Sequence, residues 1–336
     1  MDGAAADLQR EMEYLGHHVL RTDNSNVILT NRPELVHFHG LWNPIQYLRQ
    51  LMLYRNIPIV ISTHGMLEPW AFRYKRLRKW FMFHFIEKQR LRRAYGVLAT
   101  SDQEARNIDK IVGRKVCTTI PLGIRLPNKN YSFNLSRNKL NWAHDEVVLL
   151  YLGRIHPIKG LFELVRGISL LNIDLISTIS LRLVFVGEGE CSYFDRVKQV
   201  ADLLSPSIRV DWKGPIWGDD KWDFYAGADL LCLPSYSENF GIVAIEAASL
   251  GTPVLSTKYT PWAFVDYEHF GPVVEPTEES IRVGLEKFLK EIAIWRSTRE
   301  QRASWTIDKY GWTAVVQEYE KFYSSIIEKN KKRKKY

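Results

Sequence analysis

One stretch limits what this chain can fold into more than any other: Leu231-Cys-Leu-Pro-Ser-Tyr-Ser-Glu-Asn-Phe-Gly-Ile-Val-Ala-Ile-Glu246. The run from Asp229 to Pro234 is mainly apolar, shorter than a helix and followed by a turn, which reads as a buried strand. Ser235, Ser237, Glu238 and Asn239 make that turn polar. Gly241 then opens an apolar helical segment ending near Gly251-Thr-Pro253. Strand, tight turn and helix together aim free backbone N–H groups and the positive helix end at one point, which suits a phosphate or pyrophosphate. Two carboxylates frame that point, Glu238 in the turn and Glu246 in the helix. A carboxylate does not serve a phosphate; it accepts hydrogen bonds from hydroxyls such as those of a sugar or a ribose.

The rest of the second half is built to match. Val147 to Leu152 reads as a buried strand running into Gly153-Arg-Ile-His-Pro-Ile-Lys-Gly160 and a helix from Leu161 to Ile168. Arg154 and Lys159 therefore sit at the mouth of a helix, one able to grip phosphate oxygens bidentately and the other a point charge. Leu181 to Val186 is a further strand, and its turn, Gly187-Glu-Gly-Glu190, lacks the spacing of a dinucleotide fingerprint. Strands follow at Ile208 to Trp212, Pro253 to Thr257 and Val273 to Glu275, with helices at Ile281 to Trp295 and Gly311 to Ile327. The polar residues from Lys129 to Asp145 read as an interdomain linker, and Lys329 to Lys335 as a disordered basic tail.

In the first half, Ala5, Leu8, Met12 and Leu15 recur at helical spacing, with Gly16 closing the helix. Leu35 to Trp42 reads as a short strand entering a loop, with His37 and His39 on the face opposite Val36 and Phe38. A metal reading of His-x-His lacks nearby carboxylate or Cys partners. Ile57 to Ser62 is the next buried strand, ending in Thr63-His-Gly-Met-Leu-Glu-Pro-Trp70, where His64 occupies the ligand-binding end of a strand. Arg73 to Arg93 carries nine Lys or Arg and one acid, with Trp80, Phe81, Phe83, Phe85 and Ile86 interleaved. That pattern fits either an interfacial membrane contact or a core helix with a solvated basic face. Ala94 to Thr100 is a strand, followed by the helix-start signature Ser101-Asp-Gln-Glu104. The chain has 336 residues, enough for two α/β domains, and its net charge of +8 asks for an anionic partner. Three cysteines in apolar runs read as reduced core residues of a cytoplasmic protein, and no apolar run reaches transmembrane length.

Two glutamates eight apart are common by chance, but Pro-Ser-Tyr-Ser-Glu-Asn-Phe-Gly-x4-Glu-Ala resembles the Glu-x7-Glu motif of retaining GT-B glycosyltransferases of the glycosyltransferase 4 (group 1) family. Gly-Arg-x4-Lys-Gly, His-x-His-Gly-Leu-Trp and Thr-Pro-Trp262 resemble its other motifs, and His17 to Leu20 its second strand. The resemblance implies an α/β fold of two Rossmann-like domains facing a cleft. It places the N-terminal acceptor-side domain at residues 1–130, the nucleotide-sugar domain at 131–310, a returning helix at 311–328 and a tail at 329–336. The family's first strand is missing before the helix, and Asp2-Gly3 resembles what is left of its Gly-rich loop; the expectation is a late start or a damaged domain. By the same resemblance His64 and Glu238 are the catalytic residues. Gly3, Arg154, Lys159, Asn239, Phe240, Gly241 and Glu246 bind the donor, with Glu238 on the sugar and Glu246 on the ribose; His39 and Trp42 lie on the acceptor side. No metal or other cofactor is expected, since the nucleotide diphosphate sugar is a substrate. The implied activity is sugar transfer to a hydroxyl of a glycan or lipid-linked glycan in surface polysaccharide or lipopolysaccharide biosynthesis. Residues 73–93 offer an anionic membrane contact, and no nucleic-acid motif is present. Rival readings are a sugar-nucleotide 2-epimerase and a non-catalytic sugar-nucleotide-binding protein.

Overall fold

A computed structural model describes residues 2–43, 57–69, 76–189, 191–265 and 267–333. The chain divides into two compact units, Met1–Arg125 with Tyr310–Tyr336, and Leu126–Lys309.

The second unit is a parallel sheet of six strands: β5 (Val147–Leu152), β6 (Leu181–Val186), β7 (Ile208–Trp212), β8 (Leu230–Leu233), β9 (Val254–Thr257) and β10 (Val273–Val274). Their order is β10-β9-β8-β5-β6-β7, all parallel. Strands buried on both faces read as continuous apolar runs rather than alternations. That is the case for Val147-Val-Leu-Leu-Tyr-Leu152, which lies in the middle of the sheet. Val147, Leu149 and Tyr151 pack with Leu161, Leu164 and Val165 of the helix Leu161–Ser169, Val197 of Cys191–Ala201, and Leu285 and Phe288 of Glu278–Lys290. Val148 and Leu150 alternate to the other face and are equally buried. Connectivity reverses direction between β5 and β8, the crevice where open α/β sheets bind ligands.

The first unit is a parallel sheet in the order β1 (Val36–His39), β2 (Ile59–Ser62), β3 (Gly96–Ala99) and β4 (Cys117–Thr119). Period-two alternation divides its core. Ile59, Ile61, Val97 and Ala99 pack with Ile28, Phe83, Leu91 and Ile108. Val60 and Leu98 pack with Leu8 and Met12 of the helix Asp2–Tyr14, and with Trp312, Val315, Val316 and Ile326 of the helix Trp312–Arg333.

Four expectations are corrected. His17 to Leu20 forms no strand. Gly3 lies in the first turn of a helix, not in a phosphate loop, and a Cβ there would touch nothing. The stretch read as a linker contains the helix Phe133–Leu140, because Arg137 is a buried anchor: it bonds Gly227 O at 3.0 Å, Glu146 O at 2.8 Å and Asp229 Oδ2 at 2.5 Å. The stretch read as a disordered tail is helical through Arg333, where Asn330 accepts a 2.9 Å bond from Tyr95 Oη. The basic aromatic segment is helical from Arg76 to Arg93, with a π-helical turn at Phe83–Glu87; Trp70, Arg73 and Glu190 lie outside the described residues.

Candidate active site

In the second unit, β5 and β8 are parallel neighbours, so the loops that follow them leave the sheet at the same edge. The loops touch. Tyr236 N–H donates to Ile158 O at 2.8 Å, and a Cβ at Gly160 would stand 2.1 Å from Pro234 O. Gly160 has φ +66°, so glycine is required there on two counts: handedness and space. The contact brings together two residues 79 apart in sequence, and the Lys159 ammonium pairs with Glu238 Oε1. Ser235 Oγ donates to the same oxygen at 2.9 Å. Glu238 is nearly buried, with 10% of its side chain accessible.

Gly241, at φ +71°, turns the chain into the helix Ile242–Ser249, whose N-terminus has no side-chain cap. Its first N–H groups and the positive end of its dipole are thus presented beside Lys159 and Glu238. Glu246 lies one turn on. Its carboxylate accepts from Lys221 Nζ at 2.5 Å and from Tyr225 Oη at 2.9 Å. Burial, and then the Glu246 charge, push the Tyr225 phenol well above its ordinary pKa, so it remains a donor. Phe240 is not a free ligand contact: its ring is buried against Trp262 with centroids 5.1 Å apart, leaving only its backbone to face a ligand. Arg154 is exposed, and its carbonyl is fixed by Tyr151 Oη at 2.6 Å.

In the first unit the ends of β1 and β2 hold three histidines. His37 bonds Tyr323 Oη at 2.7 Å through Nδ1 and Ser62 Oγ at 2.8 Å through Nε2. His39 Nδ1 and His64 Nε2 are 2.9 Å apart, with their rings stacked. Burial favours the neutral form of all three imidazoles: burial and then the His39 and His64 charges press His37 well below 6.5, burial and then His64 bring His39 to about 4, and burial lowers His64 against the Glu104 charge, which raises it. Among the described residues no group of His, Cys, Asp and Glu could hold a metal ion. Both His37 nitrogens are already engaged in hydrogen bonds. The structure joins His39 to His64 but holds Trp42 otherwise, through its backbone N–H on Glu87 Oε1 at 2.8 Å.

Sequence reasoning missed Lys221, Tyr225, Ser235, Tyr323 and Glu104. Lys221 and Glu246 are 25 residues apart, on separate helices, and no local periodicity joins them. Glu104 did stand out, but only as part of a helix-start signature.

Of the described helices none is long and apolar enough to cross a membrane. Trp80, Phe81 and Phe85 are solvent-exposed, and the Phe81 and Phe85 rings stack.

Residues 132–305 match the family model of glycosyl transferases group 1, and residues 9–126 that of Glycosyltransferase Family 4. A D-inositol 3-phosphate glycosyltransferase from Nocardia farcinica is 34% identical over 177 residues, 51% of this chain and 39% of the relative. The chain thus spans well under two thirds of that curated relative. Among solved structures, sucrose-phosphate synthase from Thermosynechococcus elongatus superposes with a TM-score of 0.70 at 23% identity, over 90% of this chain and 75% of that one. Anabaena Alr3699/HepE in complex with UDP-glucose superposes with a TM-score of 0.68 at 18% identity, over 90% and 81%. At these identities the likeness shows the fold, which is GT-B.

Proposed function

The chain belongs to the glycosyl transferases group 1, and from that premise we propose that it is a retaining glycosyltransferase using a nucleotide diphosphate sugar. The observation that carries this reading is the convergence of Lys159, Glu238 and the uncapped helix end at Gly241, with Glu246 one turn beyond. In transfer, the bond from the anomeric carbon to the β-phosphate oxygen breaks and a bond to the acceptor oxygen forms. The departing nucleotide diphosphate keeps the bonding electron pair, so negative charge builds on its β-phosphate oxygen until that oxygen takes up the acceptor's hydroxyl proton. Lys159, Arg154, the backbone N–H groups of Asn239, Phe240 and Gly241 and the positive end of the helix they lead into offset that charge, so no metal is needed. A diphosphate seated there shares Lys159 with Glu238. Glu238 accepts hydrogen bonds from the donor sugar, and Glu246, oriented by Lys221 and Tyr225, from the ribose. His64 serves the donor sugar as a neutral imidazole; His39 and Trp42 serve the acceptor.

The acceptor we assign is a hydroxyl of a glycan or lipid-linked glycan of surface polysaccharide. The support is the exposed Trp80, Phe81 and Phe85 set among basic residues, which suits a peripheral contact with an anionic membrane.

The test is turnover of UDP-glucose and other nucleotide sugars against a panel of glycan acceptors, with EDTA present. Glu238→Gln and Lys159→Ala should each lower the rate by about 10²–10³-fold, as loss of one transition-state partner does. Parental rates in both variants, or a strict demand for divalent metal, would sink the scheme. Product analysis separates transfer from 2-epimerisation, which releases an isomeric sugar and no new glycosidic bond.

A further inference from the structure

His64 lies two residues beyond the end of β2, and its backbone is left-handed, with φ +49°. A residue with a Cβ holds that conformation only where its surroundings over-determine it. The surroundings here are one carboxylate. Glu104 Oε1 accepts Thr63 Oγ1 at 2.6 Å and Gly65 N–H at 2.6 Å, the residues on either side of His64. Glu104 Oε2 accepts Thr100 N–H at 2.7 Å and Thr100 Oγ1 at 2.9 Å, at the end of β3. Glu104 is 1% exposed and makes no ion pair among the described residues.

A glutamate at this place in a helix ordinarily reaches back to the N-cap N–H, completing a capping box. Half of the box is present, since Ser101 Oγ accepts from Glu104 N–H at 3.2 Å. The carboxylate is diverted, and its four bonds all go to Thr63, Gly65 and Thr100. Four converging donors call for a group with acceptors only; a glutamine amide would point its NH₂ at donors.

We propose that Glu104 is the positioning residue for His64: a single buried carboxylate pins both flanks of the left-handed residue and so fixes where its imidazole points. The proposal rests on the assignment of His64 to the donor sugar. His39 Nδ1 meets His64 Nε2 from the neighbouring strand, so the ring is fixed at its tip as well as at its root.

The experiment uses the whole chain, with UDP-glucose as the turnover probe. In Glu104→Gln, exchange of the Gly65 amide proton should rise about tenfold or more, because a buried donor loses its partner. The His64 imidazole should titrate at lower pH, since the Glu104 charge raises it and would be gone. Turnover should fall by about tenfold to a hundredfold, with KM little changed, as for a misplaced reacting group. Thr100→Val, which touches only the other carboxylate oxygen, should lower the melting temperature and leave Gly65 exchange and His64 titration as in the parent. If Glu104→Gln does not fold, Thr63→Val removes one flanking bond and should raise Gly65 exchange severalfold. Parental Gly65 exchange and His64 titration in the glutamate or threonine-63 variant would overturn the proposal and leave the donor-sugar reading intact. A His64→Ala chain with parental turnover would overturn that reading instead.

Discussion

Replacing Gly160 by alanine tests whether the loops after β5 and β8 must stay at one separation. Two costs can be worked from the structure. The backbone is left-handed, φ +66°, which costs an alanine about 1–2 kcal/mol. The new methyl would also stand 2.1 Å from Pro234 O, a backbone atom that cannot swing aside as a side-chain tip can. Overpacking of that kind adds about 1–3 kcal/mol. In a unit of this size each kcal/mol lowers the melting temperature by about 2–4 °C, so a fall of roughly 4–20 °C is expected. Gly218→Ala supplies the control: φ is +68°, but a Cβ there meets nothing within 4 Å, so it bears the strain alone. Function separates the pair further. To relieve the clash the loops must part by about 1 Å, taking Lys159 from Glu238, and a misplacement of that size costs about a hundredfold in rate. The assays are calorimetry of the second unit's transition, and UDP-glucose titration and turnover on both variants. If Gly160→Ala melts with Gly218→Ala and keeps the parent's affinity and rate, the loops tolerate separation and the reasoning is wrong.

Other outcomes follow from other parts of the molecule. Acid should unfold the first unit through its histidines. His37, His39 and His64 have folded pKa values below the unfolded 6.5, so their contribution is whole above 6.5 and is lost as pH falls toward about 4, the His39 value. Glu68 acts with the opposite sign: burial and the Glu104 charge raise it to about 7, so its contribution is whole below about 4.5 and is lost as pH rises through 7. Melting curves against pH check both, since His39→Gln should flatten the acid limb and Glu68→Gln the limb near 7. Arg299→Met should destabilise the second unit by about 3 kcal/mol or more in urea titrations, because it strands buried acceptors; Arg299 bonds Ala226 O at 2.7 Å, Ala228 O at 2.9 Å and Thr252 Oγ1 at 2.8 Å. A shift within error would show that water replaces the guanidinium. Sedimentation with anionic vesicles should weaken as salt rises and drop in Trp80→Ser/Phe81→Ser/Phe85→Ser; equal binding to neutral vesicles would count against a membrane contact.

Much of the second unit is legible from sequence because its strands, buried on both faces, leave uninterrupted apolar runs such as Val147 to Leu152 between glycine turns. The helices Cys191–Ala201, Lys221–Gly227 and Arg299–Tyr310 are harder to read, their apolar residues being diluted by charge. The helix Phe133–Leu140 is concealed for a related reason: its anchor is Arg137, a residue whose composition signals solvent but whose hydrogen bonds make it core. At the candidate site, the juxtaposition of Lys159 and Glu238 follows from β5 and β8 being parallel neighbours. The pairing of Lys221 with Glu246, and the reach of Glu104 across to Thr63 and Gly65, depend on how side chains from distant segments meet. Period and motif carry no trace of that.

The helix Trp312–Arg333 completes the core that begins at Leu8 and Met12. The order of manufacture therefore runs against the order of assembly. When the ribosome has made residues up to Arg125, Val60, Leu98 and Ile120 still lack Trp312, Val315 and Val316, and their apolar face stays open. The stretch from Leu126 to Lys309 is continuous and can close as soon as it emerges, whereas the earlier-born residues must wait for Trp312–Arg333 to be translated. Nascent chains halted before Trp312 should therefore hold an exposed sheet that a holdase chaperone would recognise, and a stop codon just before Trp312 would damage the first unit although its strands are already made.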